Sequence, residues 1–242
     1  MTIEPLAFLS DGLTLQGVLH LPDRLPAPFA VGCHGLFADK ESPKQKALAE
    51  ACREKGLAFF RFDHRGCGKS DGNFAAATSL EARCRDLKDA VQAVAGHSQT
   101  LGLAGLFGSS MGGAVVLASA RQWPGIRIVT VAAPLESEPV AAAVQLSDTP
   151  TARSLPPSFY DRALRFDIAE AVAGLSNVLL FHGEQDTVVP LEHARRIYDL
   201  CADPRELVIF QGGDHRISED ADQAMFVKQA AHWLVWGNRP EA

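Results

Sequence analysis

The stretch that most constrains this chain is residues 101–120, LGLAGLFGSSMGGAVVLASA. Residues 101–107 are apolar enough for a buried strand, and the Ala, Val and Leu after position 112 favour a helix. Between them, Gly108-Ser109-Ser110-Met111-Gly112 leaves room only for a tight turn. A strand that runs through a sharp turn into a helix holds Ser110 at the tip, with its Oγ outward and the helix N-terminus behind it. Gly108 and Gly112 lie two residues to either side, where the backbone comes closest to itself and a side chain would clash. Alone, this G-x-S-x-G pattern is weak. With Gly and Ser each at roughly 7% of residues, chance supplies it in about one chain of this length in ten. A glycine-rich turn that happens to carry serines explains it as well, so the rest of the chain has to decide.

The 242 residues suit one large α/β domain or two small ones, and a hydrophobic content of 47% is enough for a substantial core. A formal net charge of −6 and the lack of long Lys/Arg runs argue against nucleic acid as a partner. The opening MTIEPLAFLSDG has no basic region and no long apolar run, so no signal peptide is expected. No apolar run reaches the ~20 residues a membrane span needs. Cys33, Cys52, Cys67, Cys84 and Cys201 are odd in number and scattered, with no C-x-x-C pair, which favours a reduced, cytoplasmic protein. Monomer and dimer both fit.

In chain order, residues 5–10 and 13–21 read as two strands joined at Asp11-Gly12, a hairpin signal. Further strands are expected at 29–33, 57–62, 101–107, 127–132, 177–181 and 206–210. Helical spacing covers 44–55, with Gly56 at its end, then 80–95, 191–200 and 220–236. In 80–95 the apolar stripe is Leu87, Ala90, Val91 and Val94. Strands alternating with helices imply a mostly parallel central sheet with helices on both faces and an antiparallel N-terminal hairpin at its edge. Ligands bind such sheets at the carboxyl ends of the strands. The residues just beyond those ends are His34-Gly35, Asp63-His64, Ser110, Ala133-Pro134, His182 to Asp186, and Gly212 to His215.

A serine hydroxyl needs a neighbouring base, and the base needs a third group to fix its tautomer. Of eight histidines, His20, His97, His193 and His232 do not project from a strand's carboxyl end. His182 sits beside Gly183 in a partly apolar setting, which favours packing. His34 and His64 remain as loop-shaping residues. His215 follows the last strand in a glycine-rich loop free to fold back over the sheet, and is the favoured base. Asp186, after the strand before it, is the favoured acid; Glu184 and Glu136 are alternatives, and Asp214 is adjacent to His215 and points away from it. The developing oxyanion needs donors. The Met111 N–H opens a helix and has no partner within it. The second donor comes from the loop after 29–33, where Leu36 is favoured over Phe37 and Gly35 lets the backbone approach closely. No histidine spacing fits a metal site, and Gly66-x-Gly68 lacks the context of a nucleotide fingerprint, so no cofactor or metal is expected.

His34-Gly35, Asp63-x-Arg65-Gly66-x-Gly68-x-Ser70-x-Gly72, Gly108-x-Ser110-x-Gly112, His182-Gly183-x-x-Asp186 and Asp214-His215 follow one another in this order. With them the chain resembles the α/β-hydrolase superfamily over almost its full length. Within it, the chain is most similar to small serine esterases related to cinnamoyl and feruloyl esterases, monoglyceride lipases and serine-aminopeptidase-like hydrolases. The resemblance implies an α/β-hydrolase fold, with Ser110 as nucleophile, Asp186 as acid, His215 as base, and Leu36 and Met111 as oxyanion donors. It implies that Asp63 and Arg65 brace their loop. Residues 1–242 are then one domain, in which 133–176 is a short lid rather than the large cap of many relatives. The activity implied is cofactor-free hydrolysis of a small carboxylic ester through an acyl-enzyme. A thioesterase, short-peptide hydrolase or C–C bond hydrolase would use the same residues, and a slow ligand-binding sensor of the same fold is the alternative of a different class.

Overall fold

The computed structural model describes residues 2–146 and 150–237. Eight strands form one sheet: β1 (Thr2–Ser10), β2 (Leu13–Leu21), β3 (Ala27–Cys33), β4 (Ala58–Phe62), β5 (Thr100–Ser109), β6 (Arg127–Val131), β7 (Val178–Gly183) and β8 (Arg205–Phe210). Their order is β1-β2-β4-β3-β5-β6-β7-β8. β1 pairs antiparallel with β2, and β2 antiparallel with β4; every other pairing is parallel. The expected α/β-hydrolase architecture is therefore present, hairpin included. β1 starts earlier than the sequence pattern indicates because Pro5 is tolerated inside it. β1 is an edge strand, where a missing N–H costs no ladder bond.

Both faces of the sheet are covered, and side chains alternate between them except in β5, where an irregular register against β3 puts Leu103 and Leu106 on one face and Ala104 and Phe107 on the other. In β4, Phe60 and Phe62 join the core on one face while Phe59 joins the core on the other; in β7, Val178 and Leu180 face one way and Leu179 and Phe181 the other. Helices α1 (Pro43–Glu54) and α10 (Asp220–Trp236) cover one face. Helices α3 (Leu80–Ala95) and α4 (Met111–Ser119) pack on the opposite face. α4 is buried on all sides, as its unbroken Gly, Ala, Val and Leu content requires. A short helix, α2 (Phe74–Ala77), lies in the loop after β4; α9 (Glu192–Leu200) joins β7 to β8.

Among the described residues of 133–176 there are four short helices: α5 (Glu138–Gln145), α6 (Pro150–Arg153), α7 (Pro157–Ala163) and α8 (Ala169–Val172). This segment enters and leaves through a pinch. Glu136 and Asp167 form an antiparallel bridge, Ser137 and Phe166 exchange hydrogen bonds of 2.9 Å, and the Ile168 N–H donates to Leu135 at 2.9 Å.

The strand order fixes where a ligand can sit. From β3 the chain crosses to β4 on one side, and then returns to β5 on the other. The carboxyl ends of β3 and β5 thus flank the topological switch point, the crevice where open α/β sheets bind ligands. The loops that leave these two strands carry His34-Gly35-Leu36 and Ser110.

Candidate active site

Ser110 has φ 53° and ψ −123°, a conformation that costs a non-glycine residue on the order of 1–3 kcal/mol. The surroundings over-determine it. The Ser110 N–H donates to Val131 at 2.8 Å, and its carbonyl accepts from Gly113 at 2.7 Å as α4 begins. Gly112 backs onto β3: a β-carbon there would collide with the Cys33 carbonyl and stand 2.7 Å from the His34 oxygen. The turn is as sharp as the G-x-S-x-G pattern predicts. Ser109 is half-buried like Ser110, because it is still paired with Val131 in the sheet.

His215 stands between Ser110 and Asp186. Its Nε2 is 3.1 Å from Ser110 Oγ, and its Nδ1 is 2.7 Å from Asp186 Oδ2. The Asp186 carboxylate is fully enclosed, while the His215 side chain is 20% exposed. Burial alone would push the Asp186 carboxyl up, but hydrogen bonds from His182 and His215, and the charge of His215, hold it well below the usual carboxylate range. Asp186 Oδ1 also accepts from the N–H groups of Val188 and Val189, both at 2.8 Å. Asp186 is therefore an anion with every acceptor direction filled. The Nδ1 proton of His215 points at it, and Nε2 is left bare toward the serine.

The alternatives are engaged elsewhere. Glu136 pairs with Arg196 at 2.8 Å, Glu184 accepts from the Gly212 N–H at 3.0 Å, and Asp214 accepts from Arg216 and Ser218 within its own turn. His64 donates its backbone N–H to His34 Nε2 at 3.0 Å, so His34 carries its proton on Nδ1 and gives it to the Gly35 carbonyl at 2.7 Å. Burial pushes His34 well below an ordinary imidazole and brings His64 to about 4 despite its contact with Asp86. Both are neutral struts, not bases.

The loop after β4 braces itself as expected. The Asp63 carboxylate accepts from the backbone N–H groups of Lys40 and Lys69 and from the Lys40 ammonium. Arg65 grips Asp86 through two nitrogens at 2.7 and 2.9 Å. Leu36 and Met111 leave the two strand ends on either side of Ser110, and a β-carbon on Gly35 would touch Ser110 Cβ at 3.5 Å. Phe37 turns away; it is 43% exposed and packs on Phe74 at 5.6 Å.

Three supporting residues are not evident from the sequence reading. His182 lies inside β7 rather than after it, donates to the Val189 carbonyl at 2.8 Å and touches Asp186 at 3.3 Å. Lys44, on α1, donates to the Arg216 carbonyl at 2.8 Å and so ties down the turn that holds His215; burial lowers its amine to about 8. Arg83, on α3, reaches the loop after β3. The sequence carries a signal for Arg83: it lies four residues before Leu87, on the stripe that Leu87, Val91 and Val94 make apolar.

Comparison with known proteins bears on the family and the fold. A family described as serine aminopeptidase, S33 (Hydrolase_4) matches residues 26–164, more than half of the chain. The protein YfhR of Escherichia coli O157:H7 is 30% identical over 217 residues, covering 85% of this chain and 70% of its own length. Mouse palmitoyl-protein thioesterase ABHD10, a mitochondrial protein, is 28% identical over 210 residues, covering 78% of this chain and 69% of itself. Among solved structures, the esterase domain of a Rhodothermus marinus protein superposes with a TM-score of 0.70 at 23% identity, over 96% of this chain and 98% of that one. Among the described residues, no helix is long and apolar enough to cross a membrane. The chain belongs to the serine aminopeptidase S33 family and is a hydrolase with the α/β-hydrolase fold.

Proposed function

We propose that this hydrolase cleaves small carboxylic esters through an acyl-enzyme on Ser110. The observation that carries the reading is the position of His215, within hydrogen-bond reach of both Ser110 Oγ and Asp186. His215 Nε2 takes the proton of Ser110 as Oγ attacks the ester carbonyl. The tetrahedral oxyanion is held by the N–H groups of Met111, at the positive end of α4, and Leu36. Asp186 keeps the Nδ1–H tautomer and balances the imidazolium. His215 then protonates the leaving alcohol. Water deprotonated by the same nitrogen attacks the acyl carbonyl, and Ser110 leaves with its proton restored. The cycle consumes ester and water and needs no cofactor.

The single domain and its lid belong to the same reading. The segment 133–176, which leaves β6 and returns at β7, is the short lid of this reading. Phe159 of α7 stacks on Phe74 with centroids 5.6 Å apart, and Phe74 packs on Phe37, so an aromatic cluster ties the segment to the loop that carries Leu36. Five free cysteines fit a reducing, cytoplasmic setting.

The ABHD10 relative favours a second reading, in which the scissile bond is a thioester. The residues and steps are the same, and a thiolate leaves in place of an alkoxide. Matched p-nitrophenyl esters and acyl thioesters, given to wild type and Ser110→Ala, test both. Hydrolysis of the esters by wild type and its loss in Ser110→Ala are expected. Preference for thioesters selects the second reading, and equal activity of the variant rejects Ser110.

A further inference from the structure

Arg83 is fully buried, yet among the described residues no carboxylate lies within 4.0 Å of its guanidinium. Arg65 and Arg61, the other buried arginines nearby, both have acidic partners. An enclosed, unpaired cation is costly, and an apolar side chain of similar volume is cheaper. The fold does not need a charge at this position for its own sake.

The guanidinium is spent on one loop. Nη1 donates to the Gly35 carbonyl at 3.2 Å and Nη2 to the Leu36 carbonyl at 3.0 Å, with Cys67 Sγ at 3.5 Å; Nε is buried without a partner. The Gly35 carbonyl and the Leu36 N–H are the two ends of one planar trans peptide, and they point in opposite directions. Holding one end aims the other. Arg83, His34 Nδ1 at 2.7 Å and the Ala38 N–H at 3.4 Å all converge on the Gly35 oxygen. The Leu36 N–H therefore leaves on the side away from Arg83. A charged donor also draws electron density toward the carbonyl and leaves the N–H of the same peptide a stronger donor.

We propose that Arg83 is a positioning residue for the oxyanion site: it clamps and polarises the Gly35–Leu36 peptide so that the Leu36 N–H is set for the negative oxygen before substrate arrives. This rests on the serine-hydrolase reading. The enclosed charge adds a fixed positive field beside the developing oxyanion, where preorganised dipoles lower the barrier without reorganisation.

The test compares wild type with Arg83→Met, which keeps length and apolar volume, and Arg83→Lys, which keeps the charge but only one reach. Steady-state hydrolysis of p-nitrophenyl butyrate is measured alongside inhibition by an alkyl trifluoromethyl ketone, whose serine adduct carries the oxyanion. Arg83→Met is expected to lower kcat roughly 10- to 100-fold, less than outright removal of an oxyanion donor, with KM little changed. Its ketone affinity should fall by a matching factor, and Arg83→Lys should recover part of both. Unchanged kcat and ketone affinity in either folded variant would overturn the proposal, as would parallel losses in kcat and thermal stability with ketone affinity intact. If Arg83→Met does not fold, Arg83→Lys decides by the same two readouts. Fluorophosphonate labelling of wild type and its absence in Ser110→Ala report on the serine reading separately, so failure of one idea is not mistaken for failure of the other.

Discussion

Gly183, the last residue of β7, is packed backbone to backbone against Asp214, the residue before His215. A β-carbon on Gly183 would overlap the carbonyl oxygens of Gly213 and Asp214 and lie 2.6 Å from the Gly213 carbonyl carbon. The end of a rigid strand thus sets the depth of the turn that delivers the imidazole. Gly183→Ala must push that turn outward. The expected result is a stability loss of about 1–3 kcal/mol, the usual cost of overpacking. Activity should fall more, by at least roughly 10-fold in kcat/KM, because an ångström of misplacement is expensive at a reacting centre. Thermal melts and ester hydrolysis measured on the same sample check this; full activity would show that the contact does not set the histidine.

Asp186→Asn isolates tautomer control. The Val188 and Val189 N–H groups would hold the amide oxygen, since both donate to Oδ1 of the native carboxylate. The amide NH2 would then face His215 Nδ1 and force it to accept. Nε2 would carry the proton and could no longer take one from Ser110. Activity should drop about 10³- to 10⁴-fold while the fold survives. A loss below tenfold would mean that Asp186 is not the group that orients the base.

The pH dependence of stability should have two steps. Burial first, aided by the Arg61 charge, lowers His20 to about 4; burial also lowers His64 to about 4, both from an ordinary 6.5. A group with a depressed folded value binds its proton more readily when unfolded. Its contribution is complete above pH ~6.5 and is lost as the pH falls toward ~4. The Asp86 and Asp186 carboxyls, held far below their usual range against the effect of burial by His64 and Arg65 and by His182 and His215, contribute above about pH 4 and lose that contribution below it. Melting temperature should therefore begin to fall below about pH 6.5 and then more steeply below about pH 4. His20→Gln should shrink the first step, leaving the part carried by His64, and leave the second step unchanged. A wild-type profile level from pH 7 to 4 would contradict the neutral buried histidines.

Much of this was legible in the sequence because it was carried by backbone requirements. Gly108, Gly112 and the alternating apolar strands announce a strand–turn–helix that few other folds accommodate. The chain order of Ser110, Asp186 and His215 follows from counting strand ends. The parts that were not legible depend on tertiary contact. His182 reads as a strand-end residue, yet it lies inside β7, and only the returning 186–189 loop gives it Asp186 to touch. Helix α2 has no amphipathic period because its four residues are held by their neighbours: the Asn73 side chain caps it at 3.0 Å, and Phe74 lies between Phe37 and Phe159. Arg83 was visible as a charge on an apolar stripe, but the loop it serves lies more than forty residues earlier in the chain.

The central claim is that Ser110 Oγ is the nucleophile activated by His215. Its most direct test is covalent. Wild-type protein is treated with one equivalent of a fluorophosphonate, digested, and mapped by mass spectrometry. A single adduct on Ser110, absent from Ser110→Ala and strongly slowed in His215→Ala, is the predicted result. An adduct on another residue such as Ser109, or labelling that persists at the wild-type rate without His215, would contradict it.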